Sequence, residues 1–401
     1  MADRIVSVGA GQAAASLAVK LRTEGHNGPI TIIGAEPAPP YQRPPLSKKY
    51  LLGEMDLERL YLRPETWYAE NDVSLRLSTR VAEIDRQSGV VILEGGEKVP
   101  YDKLALTTGS VPRRLPSSTG GDLAGVYTVR DLSNVDGMAH EFVDGRRVLI
   151  IGGGYIGLEA AAVAAMRGVT VTVVEMADRI LQRVASPATA DFIRDLHQSH
   201  DVEILEGTGL TRLEGDGSVT KAILTDGTEL GIDFAIVGIG IAPDTALAEA
   251  AGLSIENGIA VDARSQTSDP AIFAAGDCAS FPYRGERIRL ESVPNAIDQA
   301  ENAALNMLGR DEDYIAKPWF WSDQYDCKLQ IAGLNTGWDS TVTRPGAREG
   351  TQSVWYYEGD RLLAVDAMND ARSYMIGKRV IEAGGTLPKA DVANPDVKLK
   401  P

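Results

Sequence analysis

The chain has 401 residues, 44% hydrophobic and 24% charged, with a formal net charge of −16. This is a globular composition, long enough for two or three domains with their own cores, and its acidity argues against nucleic acid as a general partner because phosphate binding needs a basic surface. Cys278 and Cys327 are far apart and belong to no Cys-x-x-Cys pair, so neither a disulfide framework nor a metal site is expected.

An apolar strand, Ile5-Val6-Ser7-Val8, opens the chain and runs into Gly9-Ala10-Gly11-Gln12-Ala13-Ala14. Gly9 permits the tight bend, Gly11 lets the backbone approach a pyrophosphate, and the small Ala14 lets the following helix pack close to its strand. That helix would aim its amides and the positive end of its dipole at the phosphates. A second strand, ending Ile32-Ile33-Gly34-Ala35, delivers Glu36, whose carboxylate can accept from a ribose hydroxyl. Val90 to Leu93 reads as an accessory strand. Leu104 to Gly109, including Thr108, reads as a strand leading to a crossover.

Beyond the hinge at Pro112 the same pattern recurs. Val148-Leu149-Ile150-Ile151 leads into Gly152-Gly153-Gly154-Tyr155-Ile156-Gly157, and Thr172-Val173-Val174 ends in Glu175. Glu159 lies one turn into the second helix. One such turn holds one dinucleotide. Two in one chain suggest two dinucleotides held face to face, with hydride passing between them. Both acids suit a free 2′-hydroxyl, which favours NADH over NADPH at the second turn; the alternative is that Arg179 or Arg183 swings in and tolerates both.

Thr267 to Asp277 then reads as a short buried strand returning to the first domain and ending in an acid, followed by a helix over Ala296 to Leu308. Asp277 is placed either to accept from the ribityl hydroxyls of FAD or to cap a helix, and it marks the first turn as the flavin site. Arg284, Arg287 and Arg289 are either a basic docking patch or a solvated loop. From Pro318 the chain turns aromatic (Trp319, Phe320, Trp321, Tyr325, Trp338, Trp355), and Leu329 to Ala332 and Ser353 to Tyr356 suggest antiparallel strands. The tail after Pro388 reads as loosely ordered. The expected domains are 1–112 with 239–317 for FAD, 113–238 for NAD, and an α+β domain over 318–401. The first strand begins almost at the N-terminus, and no apolar run approaches the roughly 20 residues that span a bilayer. A cytoplasmic protein without membrane partners is therefore expected.

Four segments join the two fingerprints: Pro44-Pro45-Leu46-Ser47-Lys48, Gly276-Asp277-Cys278-Ala279, Glu291-Ser292-Val293-Pro294-Asn295-Ala296 and Pro318-Trp319-Phe320-Trp321-Ser322-Asp323-Gln324-Tyr325. On these residues nearly the whole chain resembles the FAD-dependent, NADH-using ferredoxin reductases of bacterial oxygenase systems. The resemblance implies an α/β, glutathione-reductase-like fold of two Rossmann-like domains plus a C-terminal α+β domain. It implies non-covalent FAD held by Gly9, Gly11, Ala13, Ala14 and Glu36, with Val81 on the adenine side and Arg43 and Arg130 near the cofactor. Thr108, Gly109, Asp277 and Val293 would line the rest of that site. Lys48 would offset the charge of the reduced flavin, and Trp321 would sit beside the flavin or serve as a core aromatic. Gly152, Gly154, Tyr155, Ile156, Gly157, Glu175 and Gly238 would bind NAD. Glu159 would approach the nicotinamide and pair with Lys48, or be a helix-start carboxylate complementing the dipole.

The resemblance further implies single-electron delivery to a small two-iron ferredoxin that supplies a cytochrome monooxygenase or ring-hydroxylating dioxygenase. A disulfide reductase of the same fold would need a redox cysteine near the flavin, and Tyr41 to Lys48 contains none. The remaining alternatives are a monodehydroascorbate or rubredoxin reductase, or an NADH-gated binding flavoprotein like apoptosis-inducing factor.

Overall fold

The structure is a computed structural model describing residues 2–401. The chain groups into two compact units, Met1–Gln42 with Asp56–Val111 and Ala242–Pro318, and Arg43–Met55 with Pro112–Ile241 and Trp319–Pro401. The boundaries expected from the sequence differ: they place residues 43–55 with the first domain and set residues 318–401 apart.

The first unit is built on a five-stranded parallel sheet in the order Ile272–Ala274, Lys103–Leu106, Ile5–Val8, Ile30–Ile33, Val73–Arg76. Val8 lies opposite both Ile33 and Leu106, so the three central strands end level at the glycine turn. These strands read as continuous apolar runs because a parallel sheet is covered on both faces. Leu17, Ala18 and Leu21 of the Gln12–Thr23 helix pack with Ala300, Ala303 and Met307 of the Val293–Met307 helix on one of them. An antiparallel three-stranded sheet (Val81–Asp85, Val90–Leu93, Lys98–Pro100) stands beside it.

The second unit repeats the parallel pattern in the order Glu203–Glu206, Thr170–Glu175, Arg147–Ile151, Phe234–Val237, Val126–Tyr127. It adds a five-stranded antiparallel sheet, Trp319–Gln324, Cys327–Gly333, Arg361–Met368, Gln352–Glu358, Ser340–Pro345. Side chains alternate across this sheet with period two. Val354 and Tyr356 join Leu158, Ile180 and Ile193 of the nucleotide-binding part in one core. Trp355 and Tyr357 pack on the opposite face with Tyr374 and Val380 of the Ala371–Glu382 helix.

The tail corrects its expectation. After Pro388 the chain forms the helix Lys389–Ala393. The Arg344 guanidinium donates to the carbonyls of Asp391 (3.2 Å), Val392 (2.9 Å), Asn394 (2.7 Å), Pro395 (3.0 Å) and Val397 (2.8 Å). Among the described residues no helix is long and apolar enough to cross a membrane. No cluster of His, Cys, Asp and Glu among them could hold a metal ion.

Candidate functional site

In the first unit Gly9 has φ +109°, and a Cβ there would lie 2.2 Å from the Thr107 carbonyl oxygen, so only glycine fits the bend. Gly11 caps the Gln12–Thr23 helix with no side-chain cap and no acid in the first turn. A Cβ on Gly11 meets nothing within 4 Å. The turn therefore leaves helix amides unsatisfied and open space in front of them, as an anion cradle requires. Ala13 and Ala14 are buried against the sheet. Glu36 accepts from the Tyr41 hydroxyl. Thr108 donates to the Asp244 carbonyl at 2.6 Å, and Ser110 donates to Asp277 Oδ2 at 2.9 Å. Asp277 caps no helix, since the strand Ala279–Tyr283 follows it. Gln299 Oε1 accepts the Gly276 amide at 2.9 Å, while its buried Nε2 has no partner. Open glycine, uncapped amides and a spare buried donor fit FAD. Val81 packs on the neighbouring core, and Val293 opens its helix behind the Ser292 cap.

The second cradle has the same geometry. Gly152 has φ +109°, and a Cβ there would lie 2.5 Å from the Gly238 carbonyl oxygen. A Cβ on Gly157 would lie 2.2 Å from Gly152 O, whereas one on Gly154 meets nothing within 4 Å. Gly154 caps the Tyr155–Met166 helix, again without a side-chain cap or first-turn acid. The Glu175 carboxylate is held from both sides, Oε2 accepting from the Gly153 amide and Oε1 from the Ala177 amide, each at 2.8 Å. Ile156 and Met176 stand exposed beside it. The arrangement fits a second dinucleotide.

One buried cluster of this unit joins two expected site residues, Lys48 and Glu159. Glu159 is 2% exposed. Its Oε1 lies 3.0 Å from Lys48 Nζ and accepts from Ser322 Oγ at 2.7 Å; its Oε2 accepts from Ser47 Oγ at 2.7 Å. Burial pushes the Glu159 pKa up, opposed by Lys48 and the two hydroxyls. Phe320 and Ser322 share the strand face that meets the Tyr155–Met166 helix; Phe320 lies 5.1 Å from the half-buried Tyr155 ring. Trp319 and Trp321 occupy the other face, stacked at 5.5 Å. Arg43 donates to the Arg130 carbonyl at 2.8 Å. Ser47 and Ser322 have no role in the expectations from the sequence. The strand alternation that sets Ser322 beside Phe320 was the available signal.

Both cysteines are buried free thiols. Desolvation pushes the Cys327 pKa up to about 12 and raises Cys278 as well, so neither is a thiolate near neutral pH. Arg287 pairs with Glu256, and Arg289 with Glu291. Two of the three arginines of the expected patch are thus neutralised.

Two glycine cradles, each with its strand-end acid, and a buried ion pair define a two-dinucleotide oxidoreductase without thiol chemistry. The chain belongs to the pyridine nucleotide-disulphide oxidoreductase family, which it matches over residues 3–300, and residues 319–401 match the reductase C-terminal family. It is 42% identical over 401 residues to a ferredoxin–NAD(P)+ reductase of a Sphingomonas species, covering 99% of this chain and 96% of the relative. It is 40% identical over 386 residues to the putidaredoxin reductase of Pseudomonas putida, covering 94% and 92%. The reductase in a crystal structure of the covalent putidaredoxin reductase–putidaredoxin complex superposes with a TM-score of 0.96 at 38% identity, covering 99% of this chain and 97% of that one.

Proposed function

We propose that the chain is an NADH-dependent, FAD-carrying ferredoxin reductase that delivers electrons to a small two-iron ferredoxin serving an oxygenase. The observation that carries this reading is the pair of uncapped glycine cradles in one chain, each completed by an acid. The full-length similarity to ferredoxin reductases, among them that of an anthranilate 1,2-dioxygenase system, supports the choice of electron acceptor. FAD, when bound, accepts two electrons together as hydride and releases them one at a time. The protein's own residues bind and orient. Gly9, Gly11 and the Gln12–Thr23 helix would take the FAD pyrophosphate, Glu36 its adenosine ribose, and Asp277 its ribityl chain. Gly152, Gly154 and the Tyr155–Met166 helix would take that of NADH, with Glu175 on the ribose. The Glu175 carboxylate, held in place by two backbone amides, would repel a 2′-phosphate, which favours NADH. Lys48, held by Glu159, would supply positive charge where negative charge develops on reduction. A cytoplasmic location goes with this reading, because NADH is the reductant.

The test is anaerobic titration of the purified yellow protein with NADH, followed by cytochrome c reduction with and without a two-iron ferredoxin. Bleaching by one equivalent of NADH and a large ferredoxin-dependent stimulation are expected. A colourless protein that fails to take up FAD overturns the proposal.

A further inference from the structure

Ser322 continues a hydrogen-bonded path beyond Glu159. Its oxygen lies 3.1 Å from Gln324 Nε2, Gln324 Oε1 lies 2.7 Å from His197 Nε2, and His197 Nδ1 lies 3.3 Å from the Tyr325 hydroxyl. Ser322 and Gln324 are alternate residues of one strand, and His197 comes from the Pro187–Gln198 helix. Ser322, Gln324 and His197 are buried to 1% exposure or less. All belong to the second unit.

The charge at one end dictates the sense of the whole path. At 2.7 Å from a carboxylate oxygen the Ser322 hydroxyl donates. Its oxygen is then an acceptor and must face the Gln324 amide N–H. Gln324 Oε1 therefore faces His197, so the ring carries its proton on Nε2. Nδ1 is left as a lone pair that accepts from Tyr325. Were Glu159 protonated on Oε1 and donating to Ser322, with the Ser322 hydroxyl turned toward Gln324, every bond would reverse and His197 would carry its proton on Nδ1. Because an amide nitrogen does not pass protons on, the path conveys orientation and polarisation.

Two further observations bear on the ends of the path. Burial lowers the His197 pKa to about 4, so the ring is neutral and has a tautomer to choose. Tyr325 is the first residue of a two-residue hairpin turn and sits at φ +53°, a conformation for which such turns favour glycine. A tyrosine kept there at a cost of roughly 1 kcal/mol or more places its hydroxyl on His197.

We infer that Tyr325, His197, Gln324 and Ser322 form a one-directional donor chain that holds Glu159 as a carboxylate against Lys48, with His197 a positioning residue whose tautomer records the charge of Glu159. Only the kinetic consequence rests on the NADH-oxidation reading above.

The experiment is 15N NMR of the histidine-labelled, FAD-loaded protein, with His197 assigned by its loss in His197→Gln. A neutral Nε2–H ring from pH 6 to 8 is expected; an Nδ1–H ring or an imidazolium overturns the inference even if no variant folds. Ser322→Ala and His197→Leu should slow flavin reduction by NADH roughly tenfold, the loss of about one charge-assisted hydrogen bond. Ser322→Thr and His197→Gln, which keep the donors, should restore it to within about twofold. In Ser322→Ala the 13C carboxyl signal of Glu159 should move toward the protonated position. Wild-type rates in both disruptive variants, with an unmoved carboxyl signal, overturn the inference. The Nε2–H signature in a protein that NADH does not reduce supports the chain while refuting the functional reading.

Discussion

Gly154→Ala separates a glycine kept for the fold from one kept for a ligand. At Gly154 the backbone is extended, φ −83° and ψ 174°, which any residue adopts. The added methyl meets nothing within 4 Å, so the substitution should leave stability unchanged or raise it by up to about 1 kcal/mol through the unfolded chain. The same methyl enters the space where a pyrophosphate would approach the helix amides. An overpacking cost of about 1–3 kcal/mol then falls on binding alone and weakens the dissociation constant roughly 5- to 150-fold. Gly157→Ala is the opposite case. Its Cβ would lie 2.2 Å from Gly152 O, so it should cost about 3 kcal/mol or more of stability. Urea midpoints give the first quantity, and calorimetric titration with oxidised NAD+ gives the second without turnover. Wild-type affinity in Gly154→Ala, or a loss of stability there matching Gly157→Ala, would refute the cradle argument.

Glu175→Ala leaves the Gly153 and Ala177 amides without their acceptor; NADH binding should weaken about tenfold and discrimination against NADPH should shrink, read as the ratio of kcat/KM values. Asp366 is fully buried and accepts from Tyr356 and from Thr189 (2.8 Å), and burial pushes its pKa up to about 6 from 3.8. The folded state thus holds this proton where the unfolded chain has released it: the contribution is full below about pH 4 and lost as pH rises through about 6. Asp366→Asn should accordingly raise stability at pH 8 by up to about 3 kcal/mol, read from urea unfolding, with the gain vanishing near pH 4; a pH-independent difference would count against it. Arg344→Ala should free the segment after Pro388, seen as faster amide exchange over residues 389–401 with little change in global stability.

The parts legible in the sequence are those whose constraint is local. Gly9 and Gly152 are demanded by a positive φ and a carbonyl oxygen within 2.5 Å, and the strands on either side are apolar because a parallel sheet buries both faces. The acids follow at the spacing of one strand–helix–strand unit. What stayed hidden is carried by contacts between distant segments. Ser47 and Ser322 lie 112 and 163 residues from the Glu159 they clamp, and apart from the strand alternation that sets Ser322 beside Phe320, nothing near either serine marks it. The tail reads as loose because its own sequence offers little to bury; the guanidinium that orders it stands 47 to 53 residues upstream. Ser353 to Tyr356 was recognisable as a strand, but the burial of both its faces emerges only when the Leu158 core and the Ala371–Glu382 helix are seen on either side.

Glu159 also explains why the C-terminal sheet belongs to the same compact unit as the second cradle. A buried carboxylate costs several kcal/mol unless paired and hydrogen-bonded. Lys48 and Ser47 satisfy part of that demand from one short segment, but the Oε1 atom facing the sheet would have only the ammonium without Ser322. The strand that supplies Ser322 also supplies Phe320 against Tyr155, and the sheet behind it buries Leu158, the residue before Glu159, in a common core. Position 159 therefore becomes a usable charge only when the antiparallel sheet is in place, and the residues that hold the sheet down are the ones that orient the charge. The C-terminal region is a structural component of the buried charge site, in addition to whatever surface it offers to an electron acceptor.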